Sequence, residues 1–162
     1  MKRRKKYISF ILIITIFLLS IIPVSAEEND DSEWYEMTEE EFDGANAGEG
    51  DFAVPYTLYI MNVASSIAKL SSSKVGLRAD VYCTSTVQSI TVTFYLQKYT
   101  GSSWKTVSSG TASAATNVSS TVKQMTVSGL SSGTYRAKTE TLVRDKYGYA
   151  ETVTGYSGSL TI

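Results

Sequence analysis

Through the middle of the chain, apolar and polar residues alternate one for one. Ile90, Val92, Phe94 and Leu96 fall on one side, and Thr91, Thr93, Tyr95 and Gln97 on the other. That is the period-two pattern of a strand with one buried face, and its β-branched and aromatic residues suit a pleated surface. The same alternation sets Leu77, Ala79, Val81 and Cys83 against Arg78, Asp80, Tyr82 and Thr84, so the Cys83 thiol is predicted to be buried and inert. Further strand patterns run near Tyr56 to Val63, Val75 to Thr84, Trp104 to Ser108, Ser120 to Val127, Thr134 to Arg144 and Tyr149 to Ile162. No segment carries a convincing helical period, so the prediction is an all-β fold of about seven strands.

Turn chemistry separates these runs: Thr100-Gly101-Ser102-Ser103, Ser128-Gly129, Ser131-Ser132-Gly133 and Asp145-Lys146-Tyr147-Gly148. In the last, Asp first and Gly fourth suit a type I turn. Short strands at this spacing favour an antiparallel sandwich over a barrel. Leu130-Ser131-Ser132-Gly133-Thr134-Tyr135 resembles the Leu-x-x-Gly-x-Tyr corner of immunoglobulin-like and fibronectin type III-like sandwiches. The resemblance implies an immunoglobulin-like sandwich and a structural Tyr135 whose hydroxyl bonds back to the turn. The stretch from Ser109 to Ser119 is poor in large apolar residues and is expected as an exposed loop or weak edge strand. The glycines of Gly155-Tyr156-Ser157-Gly158 are expected to permit a bulge, with Tyr156, Leu160 and Ile162 packing inward.

The start of the chain changes the picture of where this domain works. Lys2-Arg3-Arg4-Lys5-Lys6, an apolar run from Ile8 to Val24 and the site Val24-Ser25-Ala26 read as a signal peptide over residues 1–26, cleaved after Ala26. The expected location is therefore secreted, extracellular, with membrane contact only through the signal segment if it stays uncleaved. The basic cluster then serves topology and does not imply a nucleic-acid partner. Cys83 is the one cysteine, so no intramolecular disulfide supports the exported fold.

Charge divides the mature chain in two. Residues 27–51 hold twelve acidic residues and no basic ones, with a Gly/Ala/Asn-rich stretch at 44–48. Its apolar residues, Trp34, Tyr35, Met37 and Phe42, are too few to bury a core against that self-repulsion, so disorder is the default expectation, though the aromatics can still dock. Residues 52–162, the predicted sandwich domain, reverse the balance, with ten Lys and Arg against four acids, a net plus six.

Candidate chemistry is sparse. The chain contains no histidine, the usual proton shuttle near neutral pH and the commonest metal ligand. Gly155-Tyr156-Ser157-Gly158 begins like a nucleophile elbow, but Ser159 stands where glycine is needed and nothing is present to activate Ser157. If the Asp145–Gly148 turn joins its strands directly, Glu140 and Glu151 lie diagonally on one face about 7–8 Å apart, near the separation used in glycoside hydrolysis. Lys138 on that face offers Glu140 a plain salt-bridge partner instead. The run Glu39-Glu40-Glu41 lacks the alternating oxygens and central glycine of a calcium loop. Asn117-Val118-Ser119 is a glycosylation sequon and is read as coincidence. No catalytic residue, metal site or cofactor is assigned.

Leu96-Gln97, Gly101-x-x-Trp104, Tyr135-Arg136 and Glu151 after a Tyr-Gly turn are together similar to small secreted proteins of Gram-positive, mainly clostridial, bacteria that carry a domain of unknown function. The resemblance implies compartment and fold and supplies no site residues. The remaining signals are aromatic and basic. Tyr82, Tyr95, Tyr99, Trp104, Tyr147 and Tyr149 fall on polar faces or near turns, where rings suit sugar stacking or protein contact. Arg78, Lys98, Lys105, Arg136, Lys138 and Arg144, with Tyr95 and Trp104, are the candidate ligand-binding residues. The function expected is non-enzymatic binding of an anionic cell-wall polymer, a glycan or a protein, with the acidic arm competing for the basic face. The alternatives are a secreted toxin or bacteriocin-like protein and a weak glycosidase using Glu140 and Glu151.

Overall fold

The computed structural model describes residues 32–38, 42, 46–47, 51–53 and 58–162. The signal segment and most of the acidic arm lie outside them. The strands are β1 (Trp34–Glu36), β2 (Asn46–Ala47), β3 (Asp51–Ala53), β4 (Ile60–Ser71), β5 (Lys74–Tyr99), β6 (Trp104–Thr111), β7 (Ala115–Val127), β8 (Thr134–Arg144), β9 (Ala150–Tyr156) and β10 (Leu160–Thr161). Every pairing is antiparallel. The fold is all-β and sandwich-like.

The 26-residue β5 organises both layers. Its first part, near Val75–Tyr82, pairs with β4 on one side and β7 on the other. Its second part, near Ile90–Tyr99, pairs with β8 and β6. Pairing to β7 shifts register between Tyr82 and Val87, where the strand passes from one layer to the next. Two strands expected from the pattern, Val75 to Thr84 and Ile90 to Gln97, are therefore one. Alternation breaks at the passage, where the buried parity changes from odd positions up to Val87 to even ones from Ile90, and Leu77, Val81, Ile90, Phe94 and Leu96 are all fully buried. Cys83 is buried beside them as a free thiol. Its pKa is raised, by burial and then by the negative charge of Glu151, which keeps it protonated and unreactive.

Polar contacts join the layers at one buried point. Ser65 of β4 and Thr139 of β8 share a hydrogen bond of 2.6 Å between their hydroxyls. Gly155 of β9 lies against them, and a Cβ there would come within 2.6 Å of the Ser65 Oγ. At the start of β8 the Tyr135 hydroxyl donates to the Ser131 carbonyl oxygen at 2.7 Å, the bond that the corner motif implies.

The described part of the arm, whose charge predicts disorder, is packed on the domain. β1 adds to β7 with Trp34 opposite Val127. The Trp34 Nε1 donates to Ser108 Oγ at 2.6 Å, and its ring covers Gly110, where a Cβ would lie 2.6 Å from a ring carbon. Of the two forms expected for the small-residue stretch after Ser109, the edge strand is the one its first part takes. β6 continues to Thr111, and Ala112 is buried, because the tryptophan supplies the bulk those residues lack. On the outer side of the other layer, Met37 and the buried Phe42 lie over Gly76. Apolar burial by three side chains thus outweighs self-repulsion among the described arm residues.

Candidate functional site

The alternation that buries Phe94 and Leu96 turns Tyr95, Gln97 and Tyr99 outward, and the same parity on β8 turns out Arg136, Lys138 and Glu140. Across β6, β5, β8 and β9 these side chains join Trp104 and Tyr156 into one row. Tyr99 and Trp104, cross-strand partners, hold their ring centroids 5.2 Å apart at a tilt of 50°. The Arg136 guanidinium carbon sits 4.6 Å from the Trp104 centroid and 4.5 Å from that of Tyr156. Its Nε donates to the side-chain Oε1 of Gln97 at 2.8 Å, while the Gln97 Nε2 donates to Thr106 Oγ1 at 3.3 Å. Arg136 is therefore held in place by two rings and one amide, and a stacked guanidinium still presents other N–H groups at its edge.

Beside this row, Glu140 accepts from Lys138 Nζ at 2.7 Å and from the Tyr95 hydroxyl at 3.0 Å. The Lys138 ammonium is 4.8 Å from the Tyr95 centroid. Hydrogen bonds from Lys138 and then Tyr95 hold the Glu140 carboxyl below its ordinary pKa. The bond to Glu140 in turn raises Lys138 and Tyr95 above theirs. The patch is thus more aromatic than cationic, since Lys138 is already neutralised.

Of the eight candidate residues, four come together here: Tyr95, Trp104, Arg136 and Lys138. The others are dispersed. Arg78 stands on the opposite layer, bonded through Nε and a terminal nitrogen to both carboxylate oxygens of Asp80 at 2.9 Å, and 5.7 Å from the Phe42 ring centroid. Lys98 turns to the other side of β5, donating to Ser131 Oγ at 2.7 Å and lying 5.4 Å from the Tyr135 centroid. Its cross-strand partner Lys105 is exposed on that same side. Arg144 shares the outer side of β8 but at its far end. The single basic face inferred from charge counting is not formed, because strand parity and distance along β8 separate the charges.

Tyr156 is the residue that sequence reasoning misses. The glycine pattern predicts that it packs inward, yet it is 39% exposed and stacked on Arg136. The usable signal is Val153: with Val153 inward, Gly155 follows and Tyr156 must face out.

The paired-carboxylate geometry is also corrected. Gly148 adopts φ 90° and its N–H donates to the Asp145 carbonyl at 3.2 Å, while the Asp145 N–H donates to the Tyr149 carbonyl at 3.0 Å. The turn therefore carries one extra residue, a bulge of the glycine type. Val143 then faces Glu151, and Glu140 faces Thr154. The odd offset puts Glu140 and Glu151 on opposite faces of the sheet. Glu151 instead accepts from the backbone N–H groups of Leu58 at 2.7 Å, Tyr59 at 2.9 Å and Ile60 at 3.2 Å. Ser157, the elbow candidate, is equally occupied: its hydroxyl accepts from the Ala137 N–H at 2.8 Å and donates to the Gly158 carbonyl at 2.7 Å.

No protein-family model matches this chain, and no curated protein matches it either.

Proposed function

We propose that this is a secreted binding module that recognises a cell-surface glycan through the outer face of β6, β5, β8 and β9. The carrying observation is the row of Tyr99, Trp104, Arg136 and Tyr156 on an open sheet face. Flat rings suit the apolar faces of sugar rings, and the guanidinium edge suits a carboxylate or phosphate attached to them. A linear polymer with acidic substituents satisfies both. The sheet contributes rigidity, so few rotamers are lost on binding. The other occupations of Glu151 and Ser157 support a role in binding rather than turnover.

The test is affinity electrophoresis and pull-down of the exported protein against cell-wall glycan fractions. Trp104→Ala and Arg136→Ala are each expected to weaken retention by about tenfold or more. Lys98→Ala, on the other side of β5, leaves it unchanged. Equal retention of all three variants would overturn the assignment.

A further inference from the structure

A second surface lies at the far end of β8. The β8–β9 hairpin ends in Tyr147 and Tyr149, which are 75% and 70% exposed, and Leu58 beside them is 71% exposed. Solitary exposed apolar residues are ordinary, but three so exposed at one protruding end are not. They are also held firmly. The Tyr59 hydroxyl donates to Asp145 Oδ2 at 2.7 Å, and the Glu151 carboxylate gathers the N–H groups of residues 58–60. The hairpin and the start of β4 therefore move as one piece, and the apolar tip is presented without an ordering cost at the moment of contact.

Charge at this end is sorted by depth. Arg144 and Lys146 flank the tyrosines, both exposed, and neither forms an ion pair among the described residues. The two nearby acids are drawn inward: Asp145 is buried and accepts from Tyr59, Tyr147 and Tyr149, and Glu151 is engaged by the amides of residues 58–60. What faces outward is aromatic, aliphatic and cationic. Tyrosine is favoured where an apolar medium meets water, its ring in one and its hydroxyl in the other. Cations beside it are complementary to a layer of anionic headgroups.

We propose that this end of the sandwich is a docking surface for an anionic lipid bilayer, with Leu58, Tyr147 and Tyr149 entering the headgroup region and Arg144 and Lys146 on the lipid phosphates. This goes beyond the membrane contact expected from the sequence, which is confined to the signal segment. It is also independent of the glycan face, since Arg136 and Arg144 are eight residues apart along β8, roughly 25 Å at strand rise.

The test uses the protein as released by a secreting host, mixed with vesicles of phosphatidylcholine alone or of phosphatidylcholine with phosphatidylglycerol. Sedimentation with the anionic vesicles should exceed that with the neutral ones roughly 30-fold, the preference expected of two cations at the surface. Tyr147→Ser with Tyr149→Ser abolishes it, while Trp104→Ala leaves it intact. Tyr147→Trp gives a blue shift in emission on anionic vesicles, which distinguishes entry into the headgroups from surface attraction. No binding, equal binding to both vesicles, an unshifted emission, or full competition by a soluble glycerol phosphate polymer would each overturn the proposal.

Discussion

The hydroxyl of Tyr135 donates to the carbonyl oxygen of Ser131, four residues upstream, at 2.7 Å. The ring is buried at 2% exposure, while the bond itself is part-buried, because Ser131 stands on the exposed turn. A turn built from Ser131-Ser132-Gly133 is short of apolar contacts, and this bond fixes it to the core. Tyr135→Phe is expected to cost about 1 kcal/mol, the net value of a hydroxyl hydrogen bond whose acceptor stays open to water. A lower urea midpoint at unchanged slope would establish it, and an unchanged midpoint would remove the corner from the account of stability.

That motif is legible because six consecutive residues define it. The strand that follows it is legible too: β8 runs from Thr134 to Arg144, as the alternation predicts. What the sequence conceals is one-residue matters. Whether Glu140 and Glu151 share a face depends on a single glycine at φ 90°, and whether Tyr156 faces in or out depends on the parity of a seven-residue strand interrupted by Gly155. The binding row is harder still. Trp104, Tyr99, Arg136 and Tyr156 come from four different strands, and periodicity within one strand says nothing about lateral neighbours. Counting acids also omits the burial that Trp34 and Phe42 find among the described arm residues.

Trp34 makes a second prediction. Its ring closes over Gly110 and its indole nitrogen is bonded to Ser108, so β1 is part of the fold. Trp34→Ala should lower stability by about 2–4 kcal/mol, toward the low end of core tryptophan losses because the ring is only half-buried. Gly110→Ala should destabilise by about 1–3 kcal/mol, since its Cβ would collide with the ring. In hydrogen exchange, both variants should lose protection at β1 and β7 before β8 and β9. Uniform protection across all four strands would show that the arm contributes nothing there.

Stability should fall at both extremes of pH. Glu36 is held below its ordinary pKa, first by the Ser113 backbone N–H and then by the Ser113 side chain. Glu140 is lowered by Lys138 and Tyr95. Burial pushes Asp145 up, but the Tyr59 hydroxyl and the amides of Tyr147, Tyr149 and Gly148 outweigh it, leaving it lowered. For lowered carboxylates the stabilisation is complete above their unfolded pKa and disappears as pH falls through the folded one, so loss begins below about pH 4. Tyr59 and Tyr95 are raised by their bonds to Asp145 and Glu140, Lys138 by Glu140, and Cys83 by burial. Their stabilisation is complete below the unfolded pKa and is lost as pH rises through the folded one, beginning with the thiol at about pH 9. Thermal midpoints across pH should form a plateau between these limits, and Asp145→Asn should flatten the acid limb.

The two glutamates that sequence spacing pairs should separate cleanly by mutation. Glu151 receives three backbone N–H groups from residues 58–60, and without it those donors must find water or remain unsatisfied. Glu151→Ala should therefore destabilise by about 2–3 kcal/mol, in the range for hydrogen bonds to a charged acceptor. Glu151→Gln should recover only part, because the amide keeps one acceptor oxygen and turns a donor toward donors. Glu140 stands on the other face, its side chain 36% exposed and bridged to Lys138, an arrangement worth about 1 kcal/mol or less. Glu140→Gln should leave the denaturation midpoint nearly unchanged. Glu140→Gln should strengthen retention on an acidic glycan at low salt, because Lys138 is released from its partner, and the gain should fade at high salt. Two glutamates acting as a catalytic pair would behave in the opposite way: both substitutions would leave stability intact and abolish turnover of a glycan together.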